Sequence, residues 1–246
     1  MRIYSDVEQM VREENRELKE LGITVPISHY QDKDTKGDSD FYTKELIGHS
    51  FTVSDPTIKH QEMIDFVYRN KPDEGERVKK FIEQEFKDRV SRKPLNPGNS
   101  YKERKDMWDQ FLEDDDKFSY QYAERINDPN LKVTQIDKVI NELKKSPDSR
   151  QGIIQIHNYL YDSQNIGGKR RIPCSMHYQF MVRNRKLYGI YVMRSNDFYG
   201  HFCVDILVAA KLQMYIAQEL KTNVGSLIYF SGSLHAYAKD FDQLVF

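Results

Sequence analysis

Apolar residues recur at helical spacing near the start of the chain, where Val7, Met10, Val11 and Leu18 stand among charges, so Val7 to Leu21 reads as an amphipathic helix. The stretch His29 to Asp40 is polar, rich in Asp and Lys, contains Gly37, and reads as a mobile loop. Glu45 to Val53 (ELIGHSFTV) reads as a strand closed by Pro56, and Ile58 to Tyr68 and Glu76 to Val90 as two helices. Pro94 to Ser100 is a turn segment and Glu113 to Lys117 a solvated acidic loop. Val133 to Lys145 is expected as a helix, Gly152 to His157 as a central strand, and Asp162 to Lys169 as a loop. Two dense apolar and aromatic runs, Met176 to Val182 and Leu187 to Met193, flank Arg183-Asn184-Arg185 and predict a hairpin. Ile206 to Leu220 is apolar at helical spacing and should be a buried central helix, and Ser226 to Ser231, after Gly225, the last strand. Strands interleaved with helices in this way predict an α/β (α+β) domain.

The hairpin carries candidate chemistry. Its return strand delivers Arg194-Ser195-Asn196-Asp197 back towards Cys174, which follows Pro173 at the mouth of the first strand. A cation beside a thiol raises the thiolate fraction, and the same guanidinium could hold a phosphate through two hydrogen bonds. From spacing alone, a small buried cysteine and a surface arginine is the commoner arrangement.

At 246 residues the chain is long enough for one substantial core. A formal charge of −1 supplies no general drive towards nucleic acid or an anionic membrane, so neither is expected as a partner and any anion site must be local. No apolar run is read as approaching the roughly 20 residues of a membrane span, and the charged Met1 to Asn15 is unlike a signal peptide, so a cytoplasmic protein is expected. Two cysteines, Cys174 and Cys203, form neither a disulfide framework nor a zinc pattern, and no metal is expected.

Pro173-Cys174, then Gln179-Phe180, then Arg194-Ser195-x-Asp197, then a helix, then His235-x-Tyr237, in that order, resembles the thymidylate synthase family. The likeness runs in register from about Thr134 to Leu244 and more faintly back to Glu45. Ile47-Gly48-x-Ser50-Phe51, Met193 to Asp197, Asp205 and Gly232-Ser233-Leu234-His235-x-Tyr237 look closest to the phage-type deoxycytidylate (dCMP or CMP) 5-hydroxymethylase branch. The resemblance implies one thymidylate synthase-like domain over residues 1–246, with an N-terminal helical and loop extension to about residue 44. It also implies a mixed sheet, a buried central helix and a homodimer formed through the sheet.

It further implies a pyrimidine nucleoside monophosphate as substrate and 5,10-methylenetetrahydrofolate as co-substrate. By resemblance Cys174 is the nucleophile, Arg194, Ser195 and Gln179 bind the nucleotide, and His235 and Tyr237 hydrogen-bond its sugar. Arg150, in Pro147-Asp148-Ser149-Arg150, would reach the phosphate held by the other subunit. The family has a second Arg where this chain has Gln151, and Arg170 and Arg171 are the nearest cations that could replace it. Lys36 beside Gly37 is the loop's candidate for a further phosphate contact, where the family carries a basic residue. Glu83 falls where the family places a catalytic Glu that organises water, with Glu85 a close competitor, although a helical Glu is usually solvated. Tyr122 is the better match to the active-site Tyr and Tyr120 the second, with Ala123 where Gly is usual. Trp108 and Asp109 resemble the Trp-Asp pair near the folate, and Asp197 belongs to the same side.

Base choice would rest on Asp205, where uracil-using relatives carry Asn. An Asn amide offers one donor and one acceptor, which match O4 and N3–H of uracil; a carboxylate accepts from the 4-amino group of cytosine. Asp205, directly before Ile206, could equally cap the following helix, and both roles are compatible. A synthase passes hydride from the folate to the exocyclic methylene, whereas a hydroxymethylase adds water. Ser175 stands where synthases commonly have His, His201 falls on the usual Gly unless Gly200 shifts by one, and the chain ends at Phe246, short of the tail that closes over the folate. Looser closure, or closure by the N-terminal portion, is therefore expected. The alternatives are a thymidylate synthase or dUMP hydroxymethylase, and a catalytically weak nucleotide-binding homodimer.

Overall fold

The computed structural model describes residues 2–27, 29–30, 33–34, 41–128, 130–167 and 171–243. In chain order the elements are β1 (Arg2–Tyr4), α1 (Val7–Leu21), β2 (Ile23–Pro26), β3 (His29–Tyr30), β4 (Lys33–Asp34), β5 (Tyr42–Val53), α2 (His60–Val67) and α3 (Pro72–Val90). They continue with α4 (Lys105–Trp108), α5 (Tyr122–Ile126), α6 (Gln135–Lys145), β6 (Gly152–Gln155), α7 (Tyr159–Asp162), β7 (Ser175–Arg183), β8 (Lys186–Asp197), α8 (Cys203–Leu220) and β9 (Asn223–Tyr237). One mixed sheet runs in the order β1-β5-β9-β8-β7-β6, with β2 paired to β5.

The β7–β8 hairpin closes at Asn184 and Arg185, both at left-handed φ (50° and 60°), the two-residue turn whose twist matches the flanking strands. Alternation then decides faces: Tyr178 and Phe180 point to the core while Gln179 between them points to the other side. β8 and β9 run parallel and so close together at Gly232 that a Cβ there would stand 2.6 Å from the Arg194 carbonyl oxygen. β9 extends well past Ser231, the expected end of the last strand, so His235 and Tyr237 lie on the strand itself. Gly152 to Gln155 is an edge strand rather than a central one, since β6 pairs with β7 alone.

α8 is buried over most of its length, Cys203 to Ala210 on every side, and Leu212 and Ile216 are fully inaccessible, while Met214, Gln218 and Glu219 are exposed. Contrary to the expectation above, Phe198–Leu220 is long and apolar enough to cross a membrane by length and composition, but 72% of it is buried against the sheet, α3 and α6, and core packing accounts for it. Residues 2–26 are built into the same sheet and core. β1 lies parallel to β5, α1 buries Val7, Met10, Val11 and Leu18, and Glu14 accepts from Tyr4 Oη at 2.6 Å and lies 2.5 Å from His49 Nε2. The consequence for the site is a convergence: the start of β7, the ends of β8 and β9, the first turns of α8 and the middle of α3 meet at one cavity.

Candidate active site

A cavity of about 1160 Å³ opens where those elements meet. Pockets for one small ligand run to roughly 300–1,000 Å³, so there is room for more than one small ligand. Cys174, Ser195, Asn196, Asp197, Asp205, Tyr120, Tyr122, Trp108, His235 and Tyr237 all line it.

Cys174 is half-buried at the foot of β7. The hairpin register brings the Arg194 backbone N–H to its carbonyl oxygen at 2.8 Å, and Ser195 Oγ donates to its sulfur at 3.7 Å. The expected contact between guanidinium and thiol is replaced by another arrangement. Arg194 donates from Nε to the Pro173 carbonyl (2.9 Å) and from Nη2 to the Ile172 carbonyl (3.1 Å), so it clamps the backbone that leads into the cysteine. Its head stays exposed and off the cavity wall, available to an anion at the rim. Cys203 is buried in α8, and burial pushes its thiol up to about 12, which leaves it unreactive.

Glu83 is turned outward: its side chain is 54% exposed and pairs with Lys211 at 2.5 Å. The competing Glu85, two residues on and so on another face of α3, is buried on the cavity wall. It accepts from Arg89 Nε and from Ser100 Oγ, each at 2.8 Å. Arg89, which sequence reasoning missed, is 1% exposed. Its Nη1 donates to Tyr178 Oη at 2.7 Å, its guanidinium lies 4.5 Å from the Tyr122 ring centroid, and its Nη2 lies 4.0 Å from Asp205. The available signal was a heptad-like offset: Glu85 and Arg89 are one turn apart, an ion pair that a buried helix face needs. Their burial followed only from the packing of α3 against α8.

Asp205 lies within the first turns of α8 with its carboxyl in the cavity; it does not cap the helix. Desolvation pushes that carboxyl up to about 7, with Arg89 opposing the rise and Glu85 adding to it. Capping falls instead to Asp197, whose Oδ1 accepts from the backbone N–H groups of Tyr199 and Gly200 at 3.2 Å each. A Cβ at Gly200 would stand 2.5 Å from Asp197 Oδ2, so Gly200 is the glycine that this turn requires and His201 is free to enter the cavity. Burial holds His201 neutral, down to about 3. Burial raises the Asp197 carboxyl, with His235 on the neighbouring strand opposing. Tyr120 is pushed up to about 12 and Tyr122 well above the usual phenol range, again by burial, so both are hydrogen-bond donors at neutral pH.

Trp108 packs edge-on to His201 at 5.7 Å, under the Arg171 guanidinium at 5.1 Å, and its Nε1 is buried without a partner. An aromatic wall with an unused N–H and a neutral imidazole suits a flat heterocycle. Asp109 faces elsewhere: it is salt-bridged at 2.7 Å to Lys105, one turn earlier, and bonded to Tyr101, which hold it partly exposed outside the cavity. Gln179 sits on the opposite face of the sheet, donating to the Arg150 carbonyl at 2.8 Å, and Arg150 is exposed beside it. Lys36 and Arg170 lie outside the described residues. Among the described residues one cluster has metal-ligand spacing, Glu14, Glu17 and His49, and none of these lines the cavity.

A half-buried thiol, two buried carboxyl groups and two protonated phenols around one cavity can add a nucleophile to a planar ring and move protons on it. The family model for thymidylate synthase matches residues 93–245. A putative thymidylate synthase of Methanosarcina barkeri is 32% identical over 127 residues, 52% of this chain and 57% of that protein. A deoxyuridylate hydroxymethyltransferase of Bacillus phage SP01 is 32% identical over 142 residues, 54% of this chain and 37% of that protein. The matches therefore span little more than half the length of these curated relatives, or less. The thermostable thymidylate synthase A of Bacillus subtilis has the same fold, with a TM-score of 0.64 and 18% identity over 96% of this chain and 82% of that one. Matched across 93–245, which holds Trp108, Cys174, Asp205 and His235, this chain belongs to the thymidylate synthase family.

Proposed function

We propose that the protein is a folate-dependent 5-hydroxymethyltransferase acting on a cytidylate, dCMP or CMP. The observation that carries this reading is the Asp205 carboxyl inside the cavity that holds Cys174. A carboxyl there accepts from an exocyclic amino group, and an ionised one leaves uracil O4 without a donor. In this reading the Cys174 thiolate adds to C6 of the pyrimidine, which makes C5 nucleophilic. C5 then takes up a one-carbon unit, its hydrogen departs as a proton while the carrier amine leaves to give an exocyclic methylene, water adds to that methylene, and the Cys174 thiolate is eliminated. The family's co-substrate, 5,10-methylenetetrahydrofolate, would supply that unit, and hydroxymethylation leaves its carrier unoxidised. Trp108, His201 and Asp197 would hold it.

Glu85 is the base and water-organising group in this scheme, with Tyr122 as a neighbouring donor. His235 and Tyr237 hold the sugar, Arg194 and Ser195 the phosphate, and Arg150 the phosphate of a partner subunit. A homodimer through the sheet is supported by the outer-face rows Ile153–Gln179–Ile190–Ile228 and His177–Val192–Phe230, apolar for the most part and partly exposed. A second reading, deoxyuridylate hydroxymethylation, is favoured by the phage relative.

Incubating dCMP, CMP and dUMP with methylenetetrahydrofolate and weighing the products by mass spectrometry separates these readings. The cytidylate reading expects a 5-hydroxymethylated cytidylate; conversion of dUMP alone overturns it. Asp205→Asn should restore the donor for O4 and shift the dCMP/dUMP ratio of kcat/KM towards dUMP by about one to two orders of magnitude. An unchanged ratio would show that Asp205 does not read the base.

A further inference from the structure

The buried charges on α3 and α8 form an asymmetric set. Arg89 spends Nε on Glu85 at 2.8 Å and Nη1 on Tyr178 Oη at 2.7 Å, and only Nη2 faces Asp205, at 4.0 Å. Glu85 has a second donor in Ser100 Oγ at 2.8 Å. Two buried carboxyls thus share one guanidinium, and the hydrogen bond that Arg89 gives to a carboxyl goes to Glu85. From Arg89, Asp205 receives only the field of a cation 4.0 Å away.

The geometry points to Arg89 as a positioning residue that determines base choice, by biasing Asp205 towards the carboxylate form that rejects uracil. This rests on the cytidylate reading above. In the ionised form a carboxylate oxygen of Asp205 accepts from the cytosine 4-amino group, whereas uracil O4 meets only lone pairs. In the protonated form the carboxyl presents one donor and one acceptor. Cytosine is still matched, through N3 and the amino group, and uracil is now matched as well, through O4 and N3–H. Discrimination is therefore a property of the ionised form alone, and the preference for cytidylate falls as Asp205 takes up a proton.

Every group that faces Asp205 fits this assignment. The charged ones are Arg89 and Glu85 from α3 and Arg104 from the turn before α4. The ionisable remainder are the phenols of Tyr122, Tyr178, Tyr191 and Tyr229 and the Cys203 thiol, all raised by burial and neutral through the working range. Asn196 on β8 adds a hydrogen bond that favours the carboxylate. With the carboxyl already pushed up to about 7, the cation beside it decides which form prevails near neutrality.

The test measures kcat/KM and, without folate, equilibrium binding of dCMP and dUMP from about pH 5.5 to about pH 9 on wild type, Arg89→Lys and Arg89→Gln. In wild type the dCMP/dUMP ratio should rise about tenfold or more with pH through one ionisation, chiefly because dUMP is lost. Arg89→Gln should move that midpoint up by about one pH unit or more, and Arg89→Lys, which keeps the charge, should return most of the shift. If the buried Arg89→Gln does not fold, the wild-type profile and Arg89→Lys still decide. A ratio that favours dCMP but is flat with pH, or a midpoint that Arg89→Gln leaves in place, overturns this inference and leaves the cytidylate reading standing. Preference for dUMP at every pH overturns both.

Discussion

Cys174 and Cys203 show what a residue's surroundings do to one functional group. The first sits at a cavity with a hydroxyl donating to its sulfur; the second is sealed in α8 with its thiol up near 12. Cys174→Ala should abolish exchange of the C5 hydrogen of the bound nucleotide for solvent, measured by tritium release, while Cys203→Ala should retain it within a few-fold. Equal loss in both variants would sink the assignment of the nucleophile. Glu83 and Glu85 make a second such pair, two residues apart and on different faces of one helix. Glu85→Gln should lower kcat by about 10²-fold or more, whereas Glu83→Gln should leave it within about threefold, since an exposed pair with Lys211 contributes little. The reverse order of effects in steady-state assays would restore Glu83 to the site.

At the scale of elements, the short link between β8 and α8 organises the cavity. Asp197 ends the strand and caps the turn Phe198–Phe202, whose extra residue per turn swings His201 inward and sets the phase of Asp205 one turn later. Gly200 makes that turn possible by lying against the Asp197 carboxyl. Gly200→Ala places a Cβ against that oxygen, so it should cost about 1–3 kcal/mol and weaken nucleotide binding together with stability. Calorimetry and a binding titration check this; a melting temperature within about 1 °C of wild type, with binding intact, would show the turn to be adaptable.

For the whole molecule, the sheet presents one face to α8 and the other, with Ile153, Ile190, Ile228 and Phe230, to the outside. That outer face also carries Gln179 and Arg150, which lie beyond the cavity of their own chain. Light scattering at micromolar concentration should therefore give twice the mass of the 29.2 kDa chain, and Arg150→Ala should raise KM for the nucleotide about tenfold with little change in kcat. A monomer with full activity would leave Arg150 without a role in phosphate binding.

The amino-acid sequence by itself determined most of the longer elements and the motif positions, because local periodicity and turn chemistry act over a few residues; the short strands β1 and β2 and the short helices α4, α5 and α7 were not read from it. The hairpin that returns Arg194 to Cys174, the buried helix α8, and the thiol, Trp108, His235 and Tyr237 were legible in it. What it left open was decided by packing between distant segments. Glu83 and Glu85 differ only in which face of α3 meets α8, and Asp109 is held outside the cavity by Lys105 and Tyr101. Glu85 and Arg89 are legible as a pair one turn apart, but the approach of that guanidinium to Asp205 has no local signature. The role of Arg89 follows from the desolvation of three charges drawn from segments more than 100 residues apart in the chain, a cost and a field that exist only once the tertiary structure has closed around them.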